Sequence, residues 1–167
     1  MKRTATTLAL LLFPLAALGG DVLPAPAGAG TIVFKEKLSV SGCGSFKDVG
    51  ILTFTTNGDS TWQADLLGGE LSGTMQPADS KGRKWQLVFD AQSLDDYLDS
   101  IEDAATDLCW ALVTIDVFEF KKFEVKFDKD FSKIKLKLKS GGTGTSIVGD
   151  GKGKHSLKGK GTFAENL

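Results

Sequence analysis

Phe123-Glu124-Val125-Lys126-Phe127-Asp128-Lys129-Asp130-Phe131-Ser132-Lys133-Ile134-Lys135-Leu136-Lys137-Leu138-Lys139 is the stretch that decides the fold. Phe123, Val125 and Phe127 alternate with charged residues, and so do Ile134, Leu136 and Leu138. Successive side chains of a β-strand point to opposite faces, so period two is a strand signature. Asp128 to Ser132 make the turn between two antiparallel strands. Each strand is apolar on one side and charged on the other, which suits a sheet with a single interior. A lysine-bearing outer face excludes an outer-membrane barrel, whose outside must be apolar.

The same rhythm runs upstream. Ile32, Phe34, Leu38 and Val40 share one parity, with Glu36 the exception on the apolar side. Ile51 to Thr55 read as a strand ending at Asn57-Gly58, a strong hairpin signal. Trp62, Ala64 and Leu66 form the next apolar face, and Leu67 to Glu70 turn the chain. Leu71, Gly73 and Met75 lead to Pro77, and Trp85, Leu87 and Phe89 follow a polar loop. The period then changes: Leu94, Leu98, Ile101, Ala105 and Leu108 recur at steps of four and three, which predicts a helix near 93–109. Ser93 is its expected N-cap, with Asp95 and Asp96 favourably placed in the first turn.

Residues 110–118 fit either strand or helix. Val113, Ile115 and Val117 share a parity, whereas Trp110 to Leu112 extend the helical reading. The Gly-, Thr- and Lys-rich tail contributes two last strands around Gly149-Asp150-Gly151, with Leu157 and Phe163 on the apolar parity. The sum is a mostly β, antiparallel meander of eight to nine strands with one inserted helix. It forms a barrel or, alternatively, a two-sheet sandwich.

The N-terminus carries Lys2 and Arg3, an apolar stretch from Ala5 to Leu18, and the small-residue run Ala25-Pro26-Ala27-Gly28-Ala29-Gly30. This is the plan of a secretory signal peptide over residues 1–27, with cleavage before Gly28 or Gly30. One β domain over 31–164 remains. Export places the protein in the periplasm or outside the cell, where Cys43 and Cys109 are expected to form a disulfide. Closing that loop stabilises a chain by roughly 4 kcal/mol on the chain-entropy model.

Past the leader, basic and acidic residues number 18 and 20, so net charge argues for no nucleic acid. The charge is segregated, however. Residues 90–107 hold seven acids and no base, and residues 121–160 hold twelve lysines. Catalytic signals are weak. His155 is the single histidine, and its parity with Leu157 suits a hydrogen-bonded structural imidazole better than a base. Asp128-x-Asp130-x-Ser132 begins like a calcium loop but has Lys133 where glycine belongs and Lys139 where the bidentate glutamate belongs. Asp95, Asp99 and Glu102 read as a solvated helix face, and no pair of carboxylates stands out for glycoside hydrolysis. No metal, cofactor or catalytic residue is therefore expected.

Two features suit binding. Lys133, Lys135, Lys137 and Lys139 form a row for an anionic surface such as a lipid or acidic glycan, or else a solvated strand that resists aggregation. Phe34, Phe54, Trp62, Trp85, Phe89, Phe123 and Phe127 either line a cavity for an apolar ligand or fill the interior. The expected function is a non-enzymatic exported module that binds a small apolar ligand or an anionic surface. The alternatives are an envelope structural module and, behind it, a carboxylate-dependent hydrolase.

Overall fold

The computed structural model describes residues 24–66, 69–147 and 149–165. The element order is β1 (Gly28–Val40), β2 (Gly44–Thr56), β3 (Thr61–Leu66), β4 (Gly69–Pro77), β5 (Lys84–Phe89), α1 (Ala91–Cys109), β6 (Val113–Phe127), β7 (Lys133–Ser146) and β8 (Gly149–Glu165). All eight strands run antiparallel to their neighbours in sequence order, and β1 pairs with β8 to close a barrel. The sandwich alternative is thereby removed. The ninth strand disappears because β7 and β8 run unbroken through the glycine-rich segment.

Residues 24–27 precede β1 as irregular chain packed on the barrel. Ala25 is buried, and the Pro26 carbonyl accepts a hydrogen bond from the buried Thr56 hydroxyl at 2.6 Å. Most of the expected signal peptide, residues 1–23, lies outside the described residues.

The strands are unequal, and this shapes the molecule. β2 pairs with β3 only over Phe54–Thr56, and β5 pairs with β6 only over Lys84–Gln86. Five long strands (β2, β1, β8, β7, β6) therefore project beyond the three short ones. At the projecting end β2 is paired only with β1 and β6 only with β7, each leaving one edge open, and α1 packs against both as well as against β1, β4 and β5. Two helix side chains satisfy edge amides of β6: Thr106 Oγ1 accepts from the Val113 N–H at 3.0 Å, and Glu102 Oε1 from Ile115 N–H at 2.7 Å. Covering an open edge in this way removes a template for aggregation. The Cys43–Cys109 disulfide ties the end of the helix to the β1–β2 turn.

The helix differs in detail from the expected one. Asp90, not Ser93, is the N-cap: its carboxylate accepts from the Ser93 N–H at 2.8 Å. The first turn holds no acid, because the helix begins at Ala91. The buried face is Ser93, Tyr97, Ile101 and Ala105, while Leu94, Leu98 and Leu108 are half-buried. The reason is that polar groups await the helix inside: Ser93 Oγ accepts from the Ser72 N–H at 2.8 Å, and Tyr97 finds the partners described below. Trp110 ends the helix in the left-handed conformation, with φ at 55°.

β6 explains the ambiguity at 110–118. Its register against β7 shifts between Ile115 and Val117 and again between Phe120 and Lys122. A bulge inserts one residue and so reverses the parity of all that follows. The apolar side accordingly runs Val113 and Ile115, then Phe118 and Phe120, then Phe123, Val125 and Phe127, all packed in or against the core.

A hollow, helix-covered end of the barrel

The two ends of the barrel are filled differently. Around the short strands, inward positions carry large side chains. Trp62 stacks on Phe54 and meets Phe123 edge-on, with ring centroids 6.1 and 5.3 Å apart, and Phe89 meets Phe123 at 4.7 Å. Backbone carbonyls satisfy the indoles: Trp62 Nε1 donates to Thr74 and Val88, and Trp85 Nε1 to Gly82.

Toward the projecting end the inward positions shrink. Along β7 they read Ile134, Leu136, Leu138, then Ser140, Gly142 and Gly144; along β8, Leu157 and His155 give way to Gly153 and Gly151. Gly142 and Gly144 are required by close packing, since a Cβ there would stand 2.2 Å from Val117 O and 2.5 Å from Thr114 O. At Gly153 a Cβ would meet no atom within 4 Å. Missing side chains leave a cavity of about 360 Å³. Leu38, Ile101, Ala105, Val113, Ile115 and Phe118 supply its apolar wall, the disulfide sulfur residues border it, and Ser140 and His155 supply polar groups. Ile101, Ala105 and Cys109 come from α1, so the helix is one wall of the chamber.

A buried hydrogen-bond chain underlies these polar groups. Glu36 Oε1 lies 2.7 Å from His155 Nε2, His155 Nδ1 lies 2.6 Å from the Tyr97 hydroxyl, and that hydroxyl lies 3.1 Å from Ser140 Oγ. Glu36, the apolar-parity exception, is thus the imidazole's partner. Burial, the largest influence, pushes the Tyr97 hydroxyl well above the usual phenol range; the Ser140 hydrogen bond opposes this, and the Glu36 charge adds to it. Tyr97 is consequently a neutral hydroxyl that can donate in the chain. It stands between Ser140 and the imidazole, so the direct nucleophile–base hydrogen bond of a hydrolytic triad is not made. Among the described residues, no buried side-chain polar atom lacks a partner.

None of the seven aromatics singled out in the sequence lines this cavity; they pack in and against the core instead. Sequence reasoning singled out neither Tyr97 nor Ser140, and it read the glycines as turn and strand-packing residues without a cavity between them. The signal was present in β7, where the inward parity runs from leucine to serine and then to glycine.

The lysine row lies on the outside, with Lys133, Lys135 and Lys139 exposed and Lys137 half-buried. Pairing extends it across the wall. Lys135 lies between Lys126 and Lys160, Lys158 between Lys137 and Lys35, while Lys139 faces Lys122 and Lys37 faces Lys47. The Asp128 carboxylate accepts the Ser132 and Lys133 N–H groups and the Ser132 hydroxyl, closing the β6–β7 turn. Among the described residues, no cluster of three or more His, Cys, Asp or Glu is arranged to hold a metal ion. One lining residue of the cavity, Asp150, carries a carboxylate.

Fold and site together define an eight-stranded antiparallel meander barrel, packed at one end and hollow under a disulfide-tied helix at the other. No protein-family model matches the chain, and no curated protein matches it.

Proposed function

We propose that the protein is a non-enzymatic, exported binding module that holds a small, largely apolar ligand in the chamber beneath α1. The observation that carries this reading is the chamber itself: about 360 Å³, with an apolar wall of Leu38, Ile101, Ala105, Val113, Ile115 and Phe118, and with Ser140 and His155 among its polar lining residues, which also include Ser41, Thr143, Thr145, Asp150 and Lys154. Binding sites for small molecules have this character, with apolar walls for affinity and a few polar groups for orientation. Ser140 would meet a single polar end of the ligand, because Tyr97 and Glu36 already occupy both imidazole nitrogens. The disulfide fits an oxidising compartment, in keeping with export.

The test uses N-phenyl-1-naphthylamine, an apolar dye that brightens out of water. Saturable brightening is expected with the wild-type protein and not with Gly153→Phe, whose side chain enters open space in the chamber. A structural module without a small-molecule site would treat the two proteins alike. Equal brightening, or none with either, would reject the reading, provided circular dichroism shows both folded.

A further inference from the structure

The outer wall formed by β6, β7, β8, β1 and β2 carries a lattice of cations that is costly to the isolated protein. Strands lie ~4.8 Å apart and same-face residues ~7 Å apart along a strand, so the opposed lysines stand at close quarters. Like charges directly opposite each other destabilise a sheet. Lys126–Lys135, Lys135–Lys160, Lys137–Lys158 and Lys158–Lys35 are such pairs, as are Lys122–Lys139 and Lys37–Lys47. Among the described residues, only Lys122 of these makes an ion pair, with Glu124 at 2.9 Å. One acid stands among them, Glu124 opposite Lys137, and it is shared by Lys84 and Lys122; Asp95, Asp96, Asp99, Asp103 and Asp107 are exposed on α1 instead. A wall meant only to stay soluble would mix the two signs.

Two further features specify the partner. A shallow depression of about 550 Å³ is lined by Lys35, Lys37, Lys47 and Lys158, with Asp48 and Glu36 the acids that reach it. Glu36 is engaged by His155, and Asp48 accepts its neighbour's Val49 N–H. Beside the lysines, Val33, Val49 and Ile51 are 55, 62 and 71 % exposed. Val33 is paired with Lys160 on one side and Ile51 on the other, so the aliphatic patch continues the cationic rows. A soluble polyanion makes no use of exposed aliphatic side chains. An anionic lipid surface uses both, with charge at the headgroups and apolar contact just beneath them.

We infer that this wall docks on an anionic lipid bilayer, with headgroup phosphates seated among Lys35, Lys37, Lys47 and Lys158. This is independent of what the chamber binds, because the wall is the barrel's outside. Co-sedimentation with vesicles of phosphatidylcholine alone, or with a third phosphatidylglycerol, tests it. Binding is expected only to the anionic vesicles, falling as salt is raised. At about fivefold per lysine, Lys35→Gln with Lys137→Gln and Lys158→Gln weakens it roughly a hundredfold. The same net change placed elsewhere, by Lys81→Gln, Lys129→Gln and Lys152→Gln, leaves most of the affinity. Val49→Thr with Ile51→Thr weakens binding at unchanged charge. No binding to anionic vesicles, or equal losses in both triple variants, overturns the inference. It is also overturned if soluble alginate is bound as tightly while the Val49 and Ile51 changes have no effect, since the partner is then a free polyanion.

Discussion

Glu36 and His155 lie 119 residues apart and hold each other inside the barrel. Half of this was legible: both residues sit on the apolar parity, which marks them as polar groups needing partners. Their pairing was not legible, because strand order and register are set by the whole barrel. Tyr97 was hidden because the leucine stripe beside it gave the stronger helical period. Removing one partner from a buried network strands the others, at a cost of about 1–3 kcal/mol. Tyr97→Phe, nearly isosteric, is expected to lower stability by that amount in urea unfolding. Asp90 provides a pH test. The Ser72 hydroxyl, followed by the Ser93 amide, holds its carboxyl below the ordinary 3.8. A depressed carboxyl contributes stability fully above its unfolded value and loses it as pH falls through the folded value. The urea midpoint of the wild-type protein should therefore drop more steeply below about pH 4 than that of Asp90→Asn, which retains a capping oxygen. Asp90→Ala should cost about 0.5–2 kcal/mol at neutral pH.

At the scale of elements, α1 is held by its Asp90 cap, the Ser93 bond to Ser72, the Tyr97 network, the Thr106 and Glu102 bonds to β6, and the disulfide. The disulfide was legible from the signal-peptide pattern and an even cysteine count. Its purpose emerges only with the unequal strand lengths, which leave two edges for the helix to cover. The sequence separation of 66 between the cysteines makes the bond worth roughly 4 kcal/mol on the chain-entropy model. Cys43→Ser with Cys109→Ser is expected to lose about that much in urea unfolding. Hydrogen exchange should rise first at 105–116, where helix and β6 edge separate. Uniform acceleration across the barrel would instead mean that the helix is no separate lid. β6 was the element least open to sequence reading, since two bulges reverse its parity twice and no local composition announces them.

The whole molecule combines a packed end, a hollow end, a basic wall and an acidic helix. The meander and the single interior were legible because the alternation is nearly unbroken. The direction in which the interior empties was not read, although β7 spells it out from Leu138 through Ser140 to Gly142 and Gly144. Glycines look like turn residues until their parity is followed. The lysine lattice makes a thermodynamic prediction of its own: screening the opposed lysines should raise the urea midpoint as sodium chloride goes from about 0.02 to 0.3 M. An unchanged or falling midpoint would mean that the wall carries no net repulsion.

The central claim is that the end beneath α1 is a binding chamber. It is tested most directly by nuclear magnetic resonance of the isotopically labelled protein titrated with N-phenyl-1-naphthylamine. Saturable shifts are expected at Ile101, Ala105, Phe118, Ser140 and His155, with Trp85 and Phe127 in the packed end unmoved. Shifts confined to the outer wall, or none at the chamber residues at saturating dye, would contradict it.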